Sequence, residues 1–160
     1  MTGAPPDLDG KLDGKILDSL LFDEMSGKEV KRLFRYFERR GFPENSTIFI
    51  EKMDGESLFL IADGRVELTW MVAEGSEKKL VELSPGESFG ELALFDPGPR
   101  AVTARVVEDS DIYILTREKF NEMRKKDPDI CLSLVIALSK KIAGSLRGSI
   151  RTLSDSIVKG

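Results

Sequence analysis

The pattern of hydrophobic and polar positions divides the chain into a helical beginning, a central region of short strands and a helical end. Ser26 stands three residues before Glu29, which predicts a helix N-terminus closed by a capping box. Apolar residues then recur at helical spacing, at Val30, Leu33, Phe34 and Phe37. We expect Gly41 and Pro43 to end this helix, and a short helix over 14–21 to precede it.

From about residue 46, short apolar or alternating segments are separated by turn residues. The predicted strands are 47–50, 57–61, 65–71, 79–83, 101–107 and 111–115. Asp63-Gly64 predicts a hairpin turn, and 73–76 and Pro85-Gly86 predict further turns. Helices flank the strands rather than alternate with them, which argues against a doubly wound parallel sheet. We therefore expect a mainly β domain, an antiparallel jelly-roll or double-stranded β-helix barrel with N-terminal and C-terminal helices.

Helical spacing returns after Thr116, where one helix is expected to begin, and Pro128 opens a longer one. The apolar stripe of the longer helix comprises Cys131, Val135, Leu138, Ile142, Leu146, Ile150, Leu153 and Ile157. Gly144 and Gly148 each cost about 1 kcal/mol relative to alanine. We therefore expect packing against the barrel or against a second chain to stabilise this helix.

The composition narrows the chemistry, because the 160 residues include no histidine and a single cysteine, Cys131. Without histidine, the chain lacks the usual base of a nucleophile pair and the usual imidazole metal ligand. One cysteine excludes an internal disulfide and a cysteine-rich zinc site. These absences favour a metal-free binding module in a reducing compartment over an enzyme.

The formal net charge of −4 is unevenly spread, since residues 117–160 carry ten bases and five acids. A nucleic-acid binder needs a basic face, but a solvated helix surface explains this excess more simply, so we expect no nucleic-acid contact. No apolar run approaches the ~20 residues of a transmembrane helix, and the polar, acidic N-terminus does not resemble a signal peptide. We therefore expect a cytoplasmic protein without membrane contact. Its predicted organisation is a flexible tail with a short helix over 1–20 and one domain over 21–160.

The segment 89–104, FGELALFDPGPRAVTA, carries the candidate chemistry. Gly90 precedes a predicted helical turn whose first N–H groups lack intrahelical partners and can face an anion. Arg100 follows a Pro-Gly-Pro loop, and its guanidinium matches phosphate oxygens. Glu91 is suited to accept a hydrogen bond from a sugar hydroxyl. Together they match a compact sugar phosphate, whereas a surface ion pair between Glu91 and Arg100, worth at most ~1 kcal/mol, is the simpler alternative for the isolated residues.

FGELAL followed by PRA at this spacing resembles the phosphate-binding cassette of cyclic-nucleotide-binding domains. These domains occur in regulatory subunits of cAMP-dependent kinase, in cyclic-nucleotide-gated channels and in catabolite-activator-type transcription regulators. The resemblance covers about residues 20–150 and includes 57–61, the Pro85-Gly86 turn and 108–110. It implies that Glu91 binds the ribose 2′-hydroxyl and that Arg100 binds the cyclic phosphate. The backbone amides implied to assist are those around Gly90, Leu92, Ala93 and Ala101.

Three positions bear on ligand choice or depart from the family pattern. Ala101 stands where some sites that prefer cGMP have Thr or Ser, so the resemblance implies cAMP, with cGMP as the other candidate. Val102 stands where a small residue is common and is placed to crowd or contact the base. Lys52-Met53 replaces the usual acidic-glycine run, and we expect this departure to lie far from the phosphate.

The resemblance implies a regulatory sensor for signal transduction, in which ligand binding lets the C-terminal helix close over the base. Ser145 and Leu146 lie in a plausible part of that helix for a lid contact, although core packing or a dimer seam explains its stripe more simply. A ligand would shift this equilibrium only by its differential affinity for the two states. The expected partners are the nucleotide, a second copy bound through the C-terminal helix and a protein effector of unknown identity, with no cofactor or metal.

Other interpretations remain open. The chain could be a degenerate module of the same fold that serves only protein contacts, although intact Glu91 and Arg100 argue against this. It could also be the ligand-sensing fragment of a transcription regulator, since we expect no output domain such as a helix-turn-helix within 160 residues. A metal-dependent enzyme on a related jelly roll is disfavoured, because such sites are usually built on imidazole ligands.

Overall fold

The computed structural model describes residues 14–159, so the expected flexible tail over 1–13 lies outside the described residues. The helices are α1 (Gly14–Leu17), α2 (Gly27–Phe34), α3 (Glu91–Phe95), α4 (Arg117–Lys126) and α5 (Pro128–Lys159), with a 3-10 turn at Leu20–Phe22. The short helix expected over 14–21 is therefore divided between α1 and the 3-10 turn. None of the described helices is both long and apolar enough to cross a membrane.

Within residues 14–159, eight strands form two antiparallel sheets. They are β1 (Glu38–Phe42), β2 (Thr47–Phe49), β3 (Asp54–Gly55), β4 (Ser57–Ala73), β5 (Ser76–Leu83), β6 (Ser88–Phe89), β7 (Gly98–Pro99) and β8 (Thr103–Thr116). The larger sheet has the order β1-β8-β4-β5, with β2 also on β8 and β6 also on β4, while β3 pairs with β7. This confirms the mainly β, antiparallel fold with flanking helices. The strand pairing in residues 14–159 leaves the larger sheet open rather than closed into a barrel.

The predicted hairpin at Asp63-Gly64 is wrong, because β4 runs unbroken through both residues. Gly64 has a φ of +89°, and the pairing of β4 with β8 shifts register around it. A Cβ at Gly64 would lie 2.1 Å from the Ser110 Oγ. The glycine therefore makes a bulge in a continuous strand, and the two strands predicted over 101–107 and 111–115 likewise merge into β8.

The first long helix begins as predicted and ends earlier. The Ser26 hydroxyl accepts from the Glu29 N–H, and the Glu29 carboxylate accepts from the Ser26 N–H at 2.7 Å, which completes the capping box. The predicted end at Gly41 and Pro43 is wrong, because α2 ends at Phe34. Residues 38–42 form β1 instead, where hydrogen bonding to β8 outweighs the helical spacing of the preceding residues.

Two hydrophobic clusters lie on opposite faces of the central strands. In β4, Leu58 and Leu60 belong to the cluster that packs against the helices. The alternate residues Phe59 and Ile61 belong to the second cluster. This alternation follows from the two-residue period of a strand. The second cluster includes Phe89, so it lies directly beneath the segment that the sequence singled out.

The two C-terminal helices begin where they were predicted. The Thr116 hydroxyl accepts from the Lys119 N–H at 3.2 Å, and α5 begins at Pro128. The apolar stripe of α5 divides into two parts, because Cys131 and Leu138 are buried whereas every residue from 144 to 159 is exposed. Packing against α2, α4 and the 3-10 turn therefore holds only the first part of α5, and the predicted contact with a second chain stays a prediction.

Candidate functional site

The glycine at the start of the predicted cassette is required by a close approach. Pairing of β6 with β4 places Phe89 beside Phe59, and Gly90 follows with a φ of +78°. A Cβ at Gly90 would lie 2.9 Å from the Ser57 carbonyl oxygen and 2.9 Å from the Arg100 Nη1. The predicted helical turn follows at once as α3, whose first N–H groups have no partner within the helix.

Arg100 is held at its backbone by the segment before β3. Its N–H donates to the Met53 carbonyl at 2.8 Å, and its carbonyl accepts from the Lys52 N–H at 2.8 Å. Lys52 has a left-handed φ of +69°. The expectation that the departure at Lys52-Met53 lies far from the phosphate site is therefore wrong, because both residues bond directly to the backbone of Arg100.

The Arg100 side chain is a buried cation, only 7% exposed. Its Nη1 donates to the carbonyls of Ser57 and Gly90, both at 3.2 Å, and its Nε has no partner among the described residues. None of the carboxylates in residues 14–159 pairs with it, and burial lowers the pKa of Arg100. A buried, uncompensated guanidinium gains most from an anionic ligand.

Glu91 pairs with the C-terminal helix rather than with Arg100. Its Oε1 lies 3.2 Å from the Lys141 Nζ, and the Glu91 side chain is 14% exposed. The same ammonium donates to the Ser88 carbonyl and lies 3.2 Å from the Ser88 Oγ. The alternative of a surface ion pair between Glu91 and Arg100 is therefore wrong, and Lys141 connects α5 to the predicted cassette.

These residues surround one cavity of about 430 Å³. All seven predicted ligand-binding residues line it, namely Gly90, Glu91, Leu92, Ala93, Arg100, Ala101 and Val102. The fold therefore brings the whole predicted set together, although their role in binding stays a prediction.

Sequence reasoning missed residues that line the cavity from more distant elements. Leu68, Val81 and Leu83 supply an apolar wall from β4 and β5. Phe49 lies under Arg100, with the guanidinium carbon 4.2 Å from its ring centroid. No local signal marks these residues, since each is an ordinary strand residue in the sequence.

The long helix contributes Lys141 and Ser145 to the cavity. These residues are four apart and therefore share one face of α5. Of the two lid candidates, Ser145 lines this cavity, whereas Leu146 lines a separate apolar groove beside Phe95.

Comparison with known proteins gives a consistent result. A family model described as cyclic nucleotide-binding domain matches residues 39–127. The chain is 35% identical over 124 residues to the cyclic AMP receptor protein of Thermus thermophilus, a match that covers 78% of this chain and 57% of the relative. The chain therefore spans less than two thirds of that protein.

Solved structures agree with the sequence comparison. The catabolite activator protein of Thermus thermophilus superposes with a TM-score of 0.78 at 34% identity, covering 85% of this chain and 62% of that one. The regulatory domain of Toxoplasma gondii PKA, crystallised with cAMP, superposes with a TM-score of 0.60 at 28% identity, covering 69% and 42%.

Proposed function

Since the chain belongs to the cyclic nucleotide-binding domain family, we propose that its cavity binds a cyclic nucleotide, cAMP in preference to cGMP. The chain then acts as a regulatory sensor and not as an enzyme. The observation that carries the proposal is the buried Arg100 guanidinium, which has no carboxylate partner in residues 14–159. A cyclic phosphate supplies the single negative charge that this cation lacks.

The cavity also offers space and partners for the ribose and the base of such a ligand. Its volume of about 430 Å³ falls within the range of roughly 300–1,000 Å³ usual for small-molecule sites. The Glu91 carboxylate is the acceptor for the ribose 2′-hydroxyl, and the wall formed by Leu68, Val81 and Leu83 offers an apolar surface to the base. The preference for cAMP rests on Ala101, which provides no hydroxyl next to Arg100.

Coupling to the C-terminal helix follows from Lys141 and Ser145. Lys141 joins α5 to Glu91 and Ser88. A ribose hydroxyl at Glu91 changes the surroundings of that ammonium, and a base in the cavity lies beside Ser145. The ligand therefore favours whichever position of α5 binds it more tightly, which is the differential affinity that a sensor requires.

We further propose that the exposed part of α5 joins two copies of the chain. Its apolar residues Leu146, Ile150, Leu153 and Ile157 are 56–72% exposed, and spacings of four, three and four are close to a coiled-coil seam. The effector that responds to the movement of α5 is a protein, and this chain does not contact nucleic acid. The single cysteine, which is unpaired and buried, supports a reducing, cytoplasmic location.

Calorimetric titration with cAMP and with cGMP tests the proposal directly. We expect binding of cAMP, weaker binding of cGMP and a rise in melting temperature with ligand concentration by mass action. Arg100→Leu should abolish both signals and leave the protein folded. Arg105→Leu, at a partly exposed arginine of β8 that pairs with Glu77 and does not line the cavity, should bind normally. If the wild-type protein binds neither nucleotide, the chain is a degenerate module of this fold that serves protein contacts.

A further inference from the structure

We propose that Phe49 is a positioning residue for Arg100, whose guanidinium it holds by a cation–π contact. The inference rests on the proposed function, because it assigns the residue that keeps the phosphate-binding cation in place. Phe49 ends β2 and is one residue of the cavity wall. The Arg100 guanidinium carbon lies 4.2 Å from its ring centroid, against 5.5 Å for Phe59.

The guanidinium is confined on a second side by Gly55. A Cβ at Gly55 would lie 1.9 Å from the Arg100 Nε and 2.3 Å from its Cζ. A side chain at residue 55 would therefore fit only if the guanidinium moved. Arg100 therefore lies in a slot between the bare Cα of Gly55 and the ring of Phe49.

The ring of Phe49 is itself fixed by other aromatic residues. Its centroid lies 5.6 Å from that of Phe59 and 5.9 Å from that of Phe89. Phe59 and Phe89 stack at 5.1 Å with an interplanar angle of 14°. Both belong to the second hydrophobic cluster, so the position of Phe49 is tied to the core.

This slot can orient the guanidinium, a role that no carboxylate in residues 14–159 takes. Two backbone carbonyls take its Nη donors, and the Nε–H remains free. An aromatic face attracts a cation without consuming any of its N–H groups. Phe49 therefore holds Arg100 without using any of its N–H donors, whereas a carboxylate partner would compete with a phosphate oxygen for them.

The first test is independent of any nucleotide. In a nitrogen-15-edited NMR spectrum, the Arg100 Nε–H, assigned by its loss in Arg100→Leu, should show a ring-current shift and slow exchange with water. We expect Phe49→Leu to remove the shift and accelerate the exchange, and Phe49→Tyr to keep both. Phe42→Leu is the matched control, since Phe42 is also partly buried against the second cluster and has no contact with Arg100.

The second test measures affinity for cAMP by calorimetry. A desolvated cation–π contact predicts that Phe49→Leu weakens binding roughly tenfold, which corresponds to about 1.4 kcal/mol. Phe49→Tyr should bind as the wild type does, and Phe42→Leu should differ little from it. Gly55→Ala should weaken binding more than Phe49→Leu, because its Cβ displaces the guanidinium.

Failure of the inference is distinguishable from failure of the proposed function. If the wild type does not bind cAMP, the proposed function is wrong, and the NMR comparison still decides whether Phe49 holds Arg100. An unchanged Nε–H signal in Phe49→Leu overturns the inference. Equal losses of affinity in Phe49→Leu and Phe42→Leu also overturn it, since they would show a general effect of core packing.

Discussion

Arg100 shows how a group that we propose to bind the ligand can oppose folding. The guanidinium is 7% exposed and has two backbone carbonyls and two aromatic rings around it. Burial of a charge without an opposite charge opposes folding. In the proposed function, the same absence leaves the cation available to the phosphate of the nucleotide.

Lys52, which bonds to the backbone of Arg100, has a strained backbone conformation. It adopts a φ of +69°, which costs a residue with a Cβ roughly 1–2 kcal/mol, and its N–H donates to the Arg100 carbonyl. We expect Lys52→Gly to stabilise the protein by up to about 1 kcal/mol, because glycine adopts this conformation freely while losing more entropy on folding. Urea denaturation measures the change.

The matched control for Lys52→Gly is Lys78→Gly, at an exposed lysine in β5. A glycine within a strand destabilises by roughly 0.5–1 kcal/mol, so the two substitutions should have opposite signs. A similar loss of stability in both variants would show that the left-handed conformation at Lys52 is not strained.

Among the elements, the junction of α2 with α4 and α5 depends on one carboxylate. The Tyr36 hydroxyl donates to the Asp127 Oδ2 at 2.5 Å, and Arg32 forms an ion pair with the same carboxylate. Both contacts lower the pKa of Asp127, with the Tyr36 hydrogen bond as the larger cause, and burial raises the pKa of Tyr36 to about 12. The junction is therefore sensitive to acid.

The sign of this pH dependence follows from the lowered pKa of Asp127. Its stabilising effect is complete above the unfolded-state pKa of about 3.9 and is lost as the pH falls through the lower folded-state pKa. We expect Asp127→Asn to reduce the urea midpoint at pH 6 and to flatten its decline between about pH 4 and pH 2. Asp155→Asn, at an exposed carboxylate near the end of α5, should follow the wild-type curve.

The contact between α5 and the cassette depends on Lys141. Its pair with Glu91 is partly buried, with side-chain exposures of 28% and 14%, whereas Lys140 pairs with Glu24 at exposures of 64% and 46%. We expect Lys141→Met to speed hydrogen exchange of the hydrogen-bonded amides at the end of α3, such as that of Asp96, which donates to the Leu92 carbonyl. The increase should be about fivefold, which corresponds to about 1 kcal/mol. Lys140→Met should leave those amides unchanged, and equal protection in both variants would show that Lys141 does not tie α5 to the cassette.

At the scale of the whole molecule, the exposed part of α5 is an unusual surface for a single copy. Ile150 and Leu153 are 56% and 62% exposed, and they lie in the part of α5 in which every residue from 144 to 159 is exposed. Contiguous exposed apolar residues of this kind mark association surfaces. We expect a dimer in light scattering, and a monomer when Ile150 and Leu153 are both replaced by lysine.

The matched control for the dimer is Ser149→Lys with Thr152→Lys, which adds the same charge to neighbouring exposed positions of α5. This control should remain a dimer, because it spares the apolar stripe. A wild-type protein that is monomeric at high concentration, with and without cAMP, would remove the dimer from the proposed function.

Local patterns in the sequence were sufficient for the features that depend on neighbouring residues. The sequence predicted the capping box at Ser26, the starts of α4 and α5, and the cassette around Gly90. Each of these features is specified by residues that are close together in the sequence. The seven cassette residues line one cavity for the same reason, since they are contiguous or separated only by the loop before Arg100.

Tertiary structure decided the features that depend on residues distant in the chain. β4 continues through Gly64 because it pairs with β8 on both sides of this residue, although local turn preference predicted a reversal there. Glu91 and Lys141 are about fifty positions apart in the chain, and so are Phe49 and Arg100. No local pattern could therefore predict either contact. The sequence by itself predicted the seven cassette residues that line the cavity. Long-range packing decided that Arg100 is buried, unpaired by any carboxylate in residues 14–159 and seated on an aromatic ring, because each of these features depends on residues far from it in the chain.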